Sequence, residues 1–353
     1  DFKMLDYFVF YNYSFGEESQ VQGQMRLGSQ VISWGESTFL QGGINVINPI
    51  DASRLRVAGA ELKEAFLPVG AFYGSMQFSA ALSLEAFYQY EWKDTEIDPS
   101  GTYFATNDFA SPGGSYVMLG FGTVTQPVWN PDLYDDTCKV GTSSQTNIAN
   151  SDRYDQLVAQ YGAAGAAQIL TTACNSAGAR LEDNDPRDSG QFGIALRWFA
   201  EGLNQTEFGF YAMNYHSRLP LLSGRAVTTI LPAPIANTAA LIVEYPEDIQ
   251  LYGVSFNTSL PGGIAWQGEL SYRPNAPMQL DDVEVLFADL SPINLALQAS
   301  GAPPATLFTS QLGQYNPGAY VKGYTENSQT QLQMTFTKVF AQSLGADQIS
   351  LVG

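Results

Sequence analysis

Residues that commonly do chemistry are scarce in this chain. It has one histidine, His216, and two cysteines, Cys138 and Cys174. Any serine–histidine device must use His216, which ends an alternating stretch beside a loop and would then bond a serine hydroxyl. No G-x-S-x-G elbow, P-loop, H-E-x-x-H pair or dinucleotide fingerprint occurs. The expectation is a protein that is not an enzyme, with no cofactor and no metal centre. Carboxylates are the remaining acid–base candidates. Glu85, Glu91 and Glu269 lie on the polar side of alternating stretches, where they are expected to line water or pair with Arg26, Arg197 and Arg273.

Cys138 and Cys174 both fall in the longest segment between alternating stretches. Two cysteines in one exposed segment of an exported chain are expected to form a disulfide, and without a C-x-x-C spacing a redox role is not. Between them Ser151 is placed to cap a helix running through Tyr154, Leu157, Val158 and Tyr161 to Leu170.

The elements that must position these residues are strands. Gln331-Leu332-Gln333-Met334-Thr335-Phe336-Thr337 alternates strictly, and a strand's side-chain period of two gives it one apolar and one hydrophilic face. Ten such stretches occur, including residues 85–92 and 264–273. They are joined in pairs by short turns, at residues 16–19, 79–81, 201–204, 261–263 and 344–346, and the pairs are separated by long segments, 34–62, 94–189, 218–247 and 274–320. A water-soluble sandwich has mostly short connections at both ends. Short turns at one end and long loops at the other fit a transmembrane antiparallel β-barrel, lipid outside and a wet lumen within. Aromatics at 13% against 14% charged residues, and the absence of an eighteen-residue apolar run, agree with strands rather than helices as the spanning elements.

The fold class expected is therefore all-β, a single outer-membrane barrel over residues 1–353 with long, partly helical extracellular loops. Open edges do not persist in hydrocarbon, so the chain is expected to be part of a larger barrel. Alternation assigns Leu332, Met334, Phe336, Ala86, Tyr88, Tyr90, Trp266, Leu270 and Tyr272 to lipid. It assigns Arg26, Glu85, Gln89, Glu91, Arg197, Gln267, Glu269, Arg273, Gln331 and Gln333 to the lumen. A net charge of −19 argues against a nucleic-acid partner. Loop acids such as Asp135, Asp136, Glu182, Asp183, Asp185 and Asp188 read as solvated surface or as divalent-cation bridges to lipopolysaccharide phosphate. Asp183-Asn184-Asp185 lacks the glycine and distal glutamate of a calcium loop.

One connection is denser in polar residues and glycine than the rest. Residues 34–62 are too long for a hairpin turn and too polar for lipid, and are expected to fold inward as a constriction. Trp34, Glu36, Phe39, Asn45, Asn48, Asp51, Glu61, Lys63 and Glu64 would form the substrate path, or else a rigid structural plug. The series Ser33-Trp34-Gly35-Glu36, Gly42-Gly43-Ile44-Asn45-Val46-Ile47-Asn48-Pro49-Ile50-Asp51 and Glu61-Leu62-Lys63-Glu64-Ala65-Phe66-Leu67-Pro68, with residues 84–92 and 101–109 downstream, resembles a Gram-negative family known as domain of unknown function 1302. The resemblance implies an outer-membrane location and the handling of a hydrophobic or lipid-like small molecule. It also implies a periplasmic lipid-carrier partner, beside outer-membrane lipid and lipopolysaccharide, and carries over no catalytic residues. Two functions follow as expectations: a channel or transporter for hydrophobic molecules, as in long-chain fatty-acid porins, or a non-conducting scaffold. Leu219-Pro220-Leu221-Leu222 and residues 283–290 are expected to be helices over the mouth that build an apolar pocket, or else to pack on one another as a rigid cap.

Overall fold

The computed structural model describes residues 6–16, 21–36, 42–57, 65–119, 152–175, 177–228, 230, 238–343 and 346–353. The ten alternating stretches form one antiparallel sheet. Its strands are β1 (Tyr7–Phe15), β2 (Val21–Gln30), β3 (Val69–Ser79), β4 (Leu82–Gln89), β7 (Gln191–Ala200), β8 (Thr206–Tyr215), β11 (Ile249–Leu260), β12 (Ile264–Gln279), β14 (Tyr324–Ser343) and β15 (Ala346–Val352). They pair in chain order, β1-β2-β3-β4-β7-β8-β11-β12-β14-β15. β12 passes the expected end at Arg273 through a bulge between Arg273 and Ala276. Pro274 stands in that bulge, where the missing N–H costs no ladder bond.

Register turns the period-two pattern into two continuous faces. Leu84 pairs with Leu196, Leu196 with Phe210, Phe210 with Val254, Val254 with Leu270 and Leu270 with Leu332. One residue over, Ser83 pairs with Arg197, Arg197 with Gly209, Gly209 with Ser255, Ser255 with Glu269 and Glu269 with Gln333. The apolar row faces outward: Leu270 is 44% and Leu332 62% exposed, whereas Glu269 is 2% exposed. Ala86, Tyr88, Tyr90, Tyr272, Met334 and Phe336 share the outward face, and Trp266, stacked on Phe336, is partly covered.

The described parts of the long segments carry regular structure. They contribute a second sheet of short strands: β5 (Tyr116–Met118), β6 (Ala177–Arg180), β9 (Leu221–Arg225), β10 (Ala240–Glu244) and β13 (Tyr320–Val321). Its order is β13-β9-β10-β6-β5, antiparallel except for β10 beside β6. The expectation of a helix at residues 219–222 is corrected, because Leu221 and Leu222 begin β9. Leu221-Leu222 pairs with Val243-Glu244 of β10, and side-chain packing in the small sheet overrides the weak local helical preference. Among the described residues three α-helices accompany it: α1 (Asp152–Asn175), broken at Gly162, α2 (Asp282–Leu290), capped by Asp281 accepting from the Val283 N–H, and α3 (Ile293–Ala299). No described helix is long and apolar enough to cross a membrane. Gln279, at the end of β12, donates to the carbonyls of Leu222 and Gly323 and ties the small sheet to the large one.

Candidate functional site

Between β2 and β3 the chain leaves the sheet and lies across its inner face. Asn48 fastens both ends of this excursion. Its Oδ1 accepts from the Ile32 N–H at 2.9 Å, and its Nδ2 donates to the carbonyls of Gln30 and Leu67. Ile32, Trp34, Ile44 and Ile47 are fully buried against Ala71, Tyr73, Phe87, Ala195, Tyr211, Met213, Tyr215 and Leu251. The strands make room for them. A side chain at Gly253 would meet the Ile44 side chain at 2.7 Å, and one at Gly193 would meet Phe87 and Trp34. Asp51 is buried and residues 53–57 are exposed, while residues 37–41 and 58–62 of the expected constriction lie outside the described residues. Asp51 serves a local turn there, accepting from the Ser53 N–H and hydroxyl.

Two carboxylates of the sheet hold the excursion. Trp34 Nε1 donates to Glu85 at 2.7 Å, and Arg197 spans Glu85 at 2.8 Å and Glu207 at 3.0 Å. Glu269 accepts from the Glu36 N–H at 2.7 Å, from the Ile44 N–H at 2.9 Å and from the Gln333 amide. The carboxylate thus acts as a clasp that joins Glu36 to Ile44. The clasp requires glycine at both jaws. A Cβ on Gly35, whose φ is +86°, would come within 2.4 Å of one Glu269 oxygen, and a Cβ on Gly43 within 1.8 Å of the other. Arg273 donates to the Gly43 carbonyl at 2.6 Å and to the Tyr215 hydroxyl at 2.9 Å. Gln267 donates to the Glu36 carbonyl, and Asn257 to the Glu36 carboxylate, whose pKa burial raises.

A second polar knot lies at the other end of the excursion. The Ile47 carbonyl accepts from Gln89 at 3.0 Å and from Arg218 at 2.9 Å. Arg218 also reaches the carbonyl oxygens of the Gln89 and Gln191 side chains and the Lys93 backbone. Burial lowers its pKa to about 10, so the guanidinium keeps its charge at neutral pH. Charge-assisted donors of this kind are the stronger hydrogen bonds.

The predicted residues thus divide. Trp34, Glu36, Glu85, Arg197, Gln267, Glu269, Arg273 and Gln333 meet around the clasp, while Asn48 and Gln89 belong to the fastenings. Asn45 donates to Ser33, and Gln331 lies beside Gly42. Arg26 sits over the Tyr73 ring, and Glu91 accepts from the Gly70 N–H at the rim. Phe39, Glu61, Lys63 and Glu64 lie outside the described residues, as do Cys138 and the Cys174 side chain, so the expected pairing does too. Arg218, Gln191, Tyr211, Tyr215 and Asn257 were not anticipated. Strand phase marks Gln191, Tyr211, Tyr215 and Asn257 as inward, but nothing in the sequence around Arg218 marks it.

His216 does not bond a serine hydroxyl. Its Nδ1 accepts from the Asp248 N–H at 3.0 Å and its Nε2 faces the Ser189 backbone carbonyl at 2.8 Å, which makes Nε2 the protonated nitrogen. Burial holds its pKa below the usual value. Among the described residues no group of three or more His, Cys, Asp or Glu is arranged to hold a metal. Asp183 instead pairs with Arg180, and Asp188 accepts from the Trp92 N–H.

The architecture is that of an all-β protein: a large antiparallel meander with a chain segment clasped on its inner face. The chain belongs to the family described as Protein of unknown function (DUF1302), which matches residues 1–353. No curated protein and no solved structure matches it.

Proposed function

We propose that the large sheet is wall of a Gram-negative outer-membrane β-barrel that conducts hydrophobic or lipid-like molecules, with the clasped segment as its constriction. The observation that carries this reading is the inverted exposure: an uninterrupted apolar row on the open face, with carboxylates and amides on the covered one. Water would penalise that arrangement and hydrocarbon would favour it. Seven of the strands, β1 to β4, β7, β8 and β11, have 8 to 12 residues, close to the roughly 9–11 that a tilted strand needs to cross a bilayer. On this reading the long segments face outside the cell and the short turns face the periplasm, where a lipid-carrier protein would hand over or accept cargo. Outer-membrane lipid and lipopolysaccharide surround the wall.

At the short-turn end the inner face is open and hydrophilic, a hollow of about 650 Å³ bordered by Asn12, Ser14, Gln22, Gln24, Ser75 and Gln77. The clasp separates it from the long-segment end. Glu269 alone bonds both Glu36 and Ile44, so one carboxylate joins the two described ends of the segment, which suits a gate. The dense packing of Trp34, Ile44 and Ile47 favours the second reading, a non-conducting scaffold whose plug stays put. Planar-bilayer conductance separates them. For a gate, Glu269→Ala raises conductance and speeds uptake of a hydrophobic dye, while Glu36→Ala and Asn48→Ala alter uptake with heat-modifiable migration intact. Conductance that stays at background in wild type and all three variants would reject transport.

A further inference from the structure

Away from the clasp, α2 closes one side of a small apolar pocket over β9, β10 and the end of β5. The pocket has a volume of about 180 Å³ and is lined by Val117, Leu119, Leu222, Ala239, Val285 and Leu286, among others. Asp289 also lines it. The Asp289 side chain is 5% exposed, and its Oδ1 has no hydrogen-bond partner among the described residues. The carboxyl is not there by crowding: it lies over Gly224, where a Cβ would fall 1.8 Å from Oδ2, so the strand beneath is cut back to admit it. With desolvation as its only cause, its pKa is pushed up to about 8, so the group is mostly neutral at pH 7.

An unpaired buried polar atom costs roughly 1–3 kcal/mol, and packing alone would be better served by leucine. A neutral carboxyl offers one O–H donor and acceptor oxygens. The chemistry that satisfies both is a hydroxyl, which accepts from the acid and donates to Oδ1. Apolar cavities of roughly 150 Å³ hold a benzene-sized molecule, so this one suits a ring of similar size carrying one substituent. We propose that the pocket binds a small apolar alcohol or phenol, its hydroxyl bonded to Asp289 and its ring held between α2 and the small sheet. This holds whether or not the large sheet conducts anything.

Cyclohexanol and cyclohexane are the probes, titrated into the full chain in detergent micelles. Binding is followed by the shift in thermal midpoint and by the infrared carbonyl band of protonated Asp289, identified by its loss in Asp289→Asn. Cyclohexanol should raise the midpoint and move the band, and cyclohexane should bind about tenfold more weakly, the worth of one hydrogen bond. Asp289→Leu should abolish the preference for the alcohol. Asp289→Asn, which keeps a donor and an acceptor, should retain it. Leu286→Trp, filling the pocket, should remove binding of both. A band unmoved by saturating cyclohexanol overturns the proposal, as does equal affinity for the two probes or unchanged binding in Leu286→Trp. Tighter binding of cyclohexylamine than of cyclohexanol would reject the hydroxyl class. If Asp289→Leu fails to fold, the band and Leu286→Trp still decide.

Discussion

At the scale of single residues the molecule relies on buried polar groups with unequal satisfaction. Glu269 accepts from two backbone N–H groups and an amide, so Glu269→Ala strands donors that cost roughly 1–3 kcal/mol each when unpaired. Amide exchange at Glu36 and Ile44 should then rise well above wild type while exchange in β12 does not. Unchanged exchange would mean that apolar packing alone holds the segment. Asp289 is the opposite case. Unfolded, it ionises near the ordinary 3.8; folded, it holds its proton to about 8. Between those values the unfolded chain has released a proton that the folded chain retains, so stability falls as pH rises from about 4 to 8. Asp289→Asn should flatten that decline, which paired thermal midpoints across the range would reveal; parallel curves would exclude it. Glu85, Glu269 and Gln333 were legible because strand phase points them inward. Arg218 was not, because it lies outside any periodic stretch and its partners come from three separate segments.

At the scale of elements the strands were legible and the objects between them were not. Alternation over seven or more residues, broken by short turns of which four carry glycine, located all ten strands of the large sheet. The small sheet escaped because β5, β9, β10 and β13 have two to five residues each, too few for a period to show, and they pair across long stretches of chain. Both apolar loop runs were expected as helices; residues 283–290 fall in α2, whereas Leu221-Leu222 begins β9, a short apolar run being equally consistent with strand and helix. An inward course was expected for residues 34–62, but the packing of Trp34 and Ile44 at Gly193 and Gly253 depends on space, which a sequence does not display. Gly253→Leu would claim the volume that Ile44 occupies. It should expel the segment while leaving the strands paired, so that a cysteine at position 44 becomes reactive to a water-soluble maleimide in the double variant only. A cysteine that stays protected would show that the segment relocates without leaving.

At the scale of the whole molecule the question is which solvent the sheet is built for. A soluble sheet hides its apolar rows; here the row from Leu84 through Leu332 crosses six strands with no covering element among the described residues, while Glu269 and Arg273 are buried beneath the clasped segment. The two faces therefore respond oppositely to charge. Leu270→Arg places a guanidinium at the middle of the outer row, where a bilayer would exact roughly 2–4 kcal/mol. Gln331→Arg, one position over on the inner face, meets polar neighbours and, on the barrel reading, can be hydrated there. Folding into phospholipid vesicles, followed by the urea midpoint and by heat-modifiable migration, should show a clear loss for Leu270→Arg and little for Gln331→Arg. In water without lipid the order should reverse, because Leu270→Arg relieves an exposed apolar patch and lowers aggregation. A Leu270→Arg variant that folds into vesicles as stably as wild type would remove the membrane wall from the reading, and with it the constriction's role, while leaving the Glu269 clasp and the Asp289 pocket as features of a sheet whose outer face needs another partner.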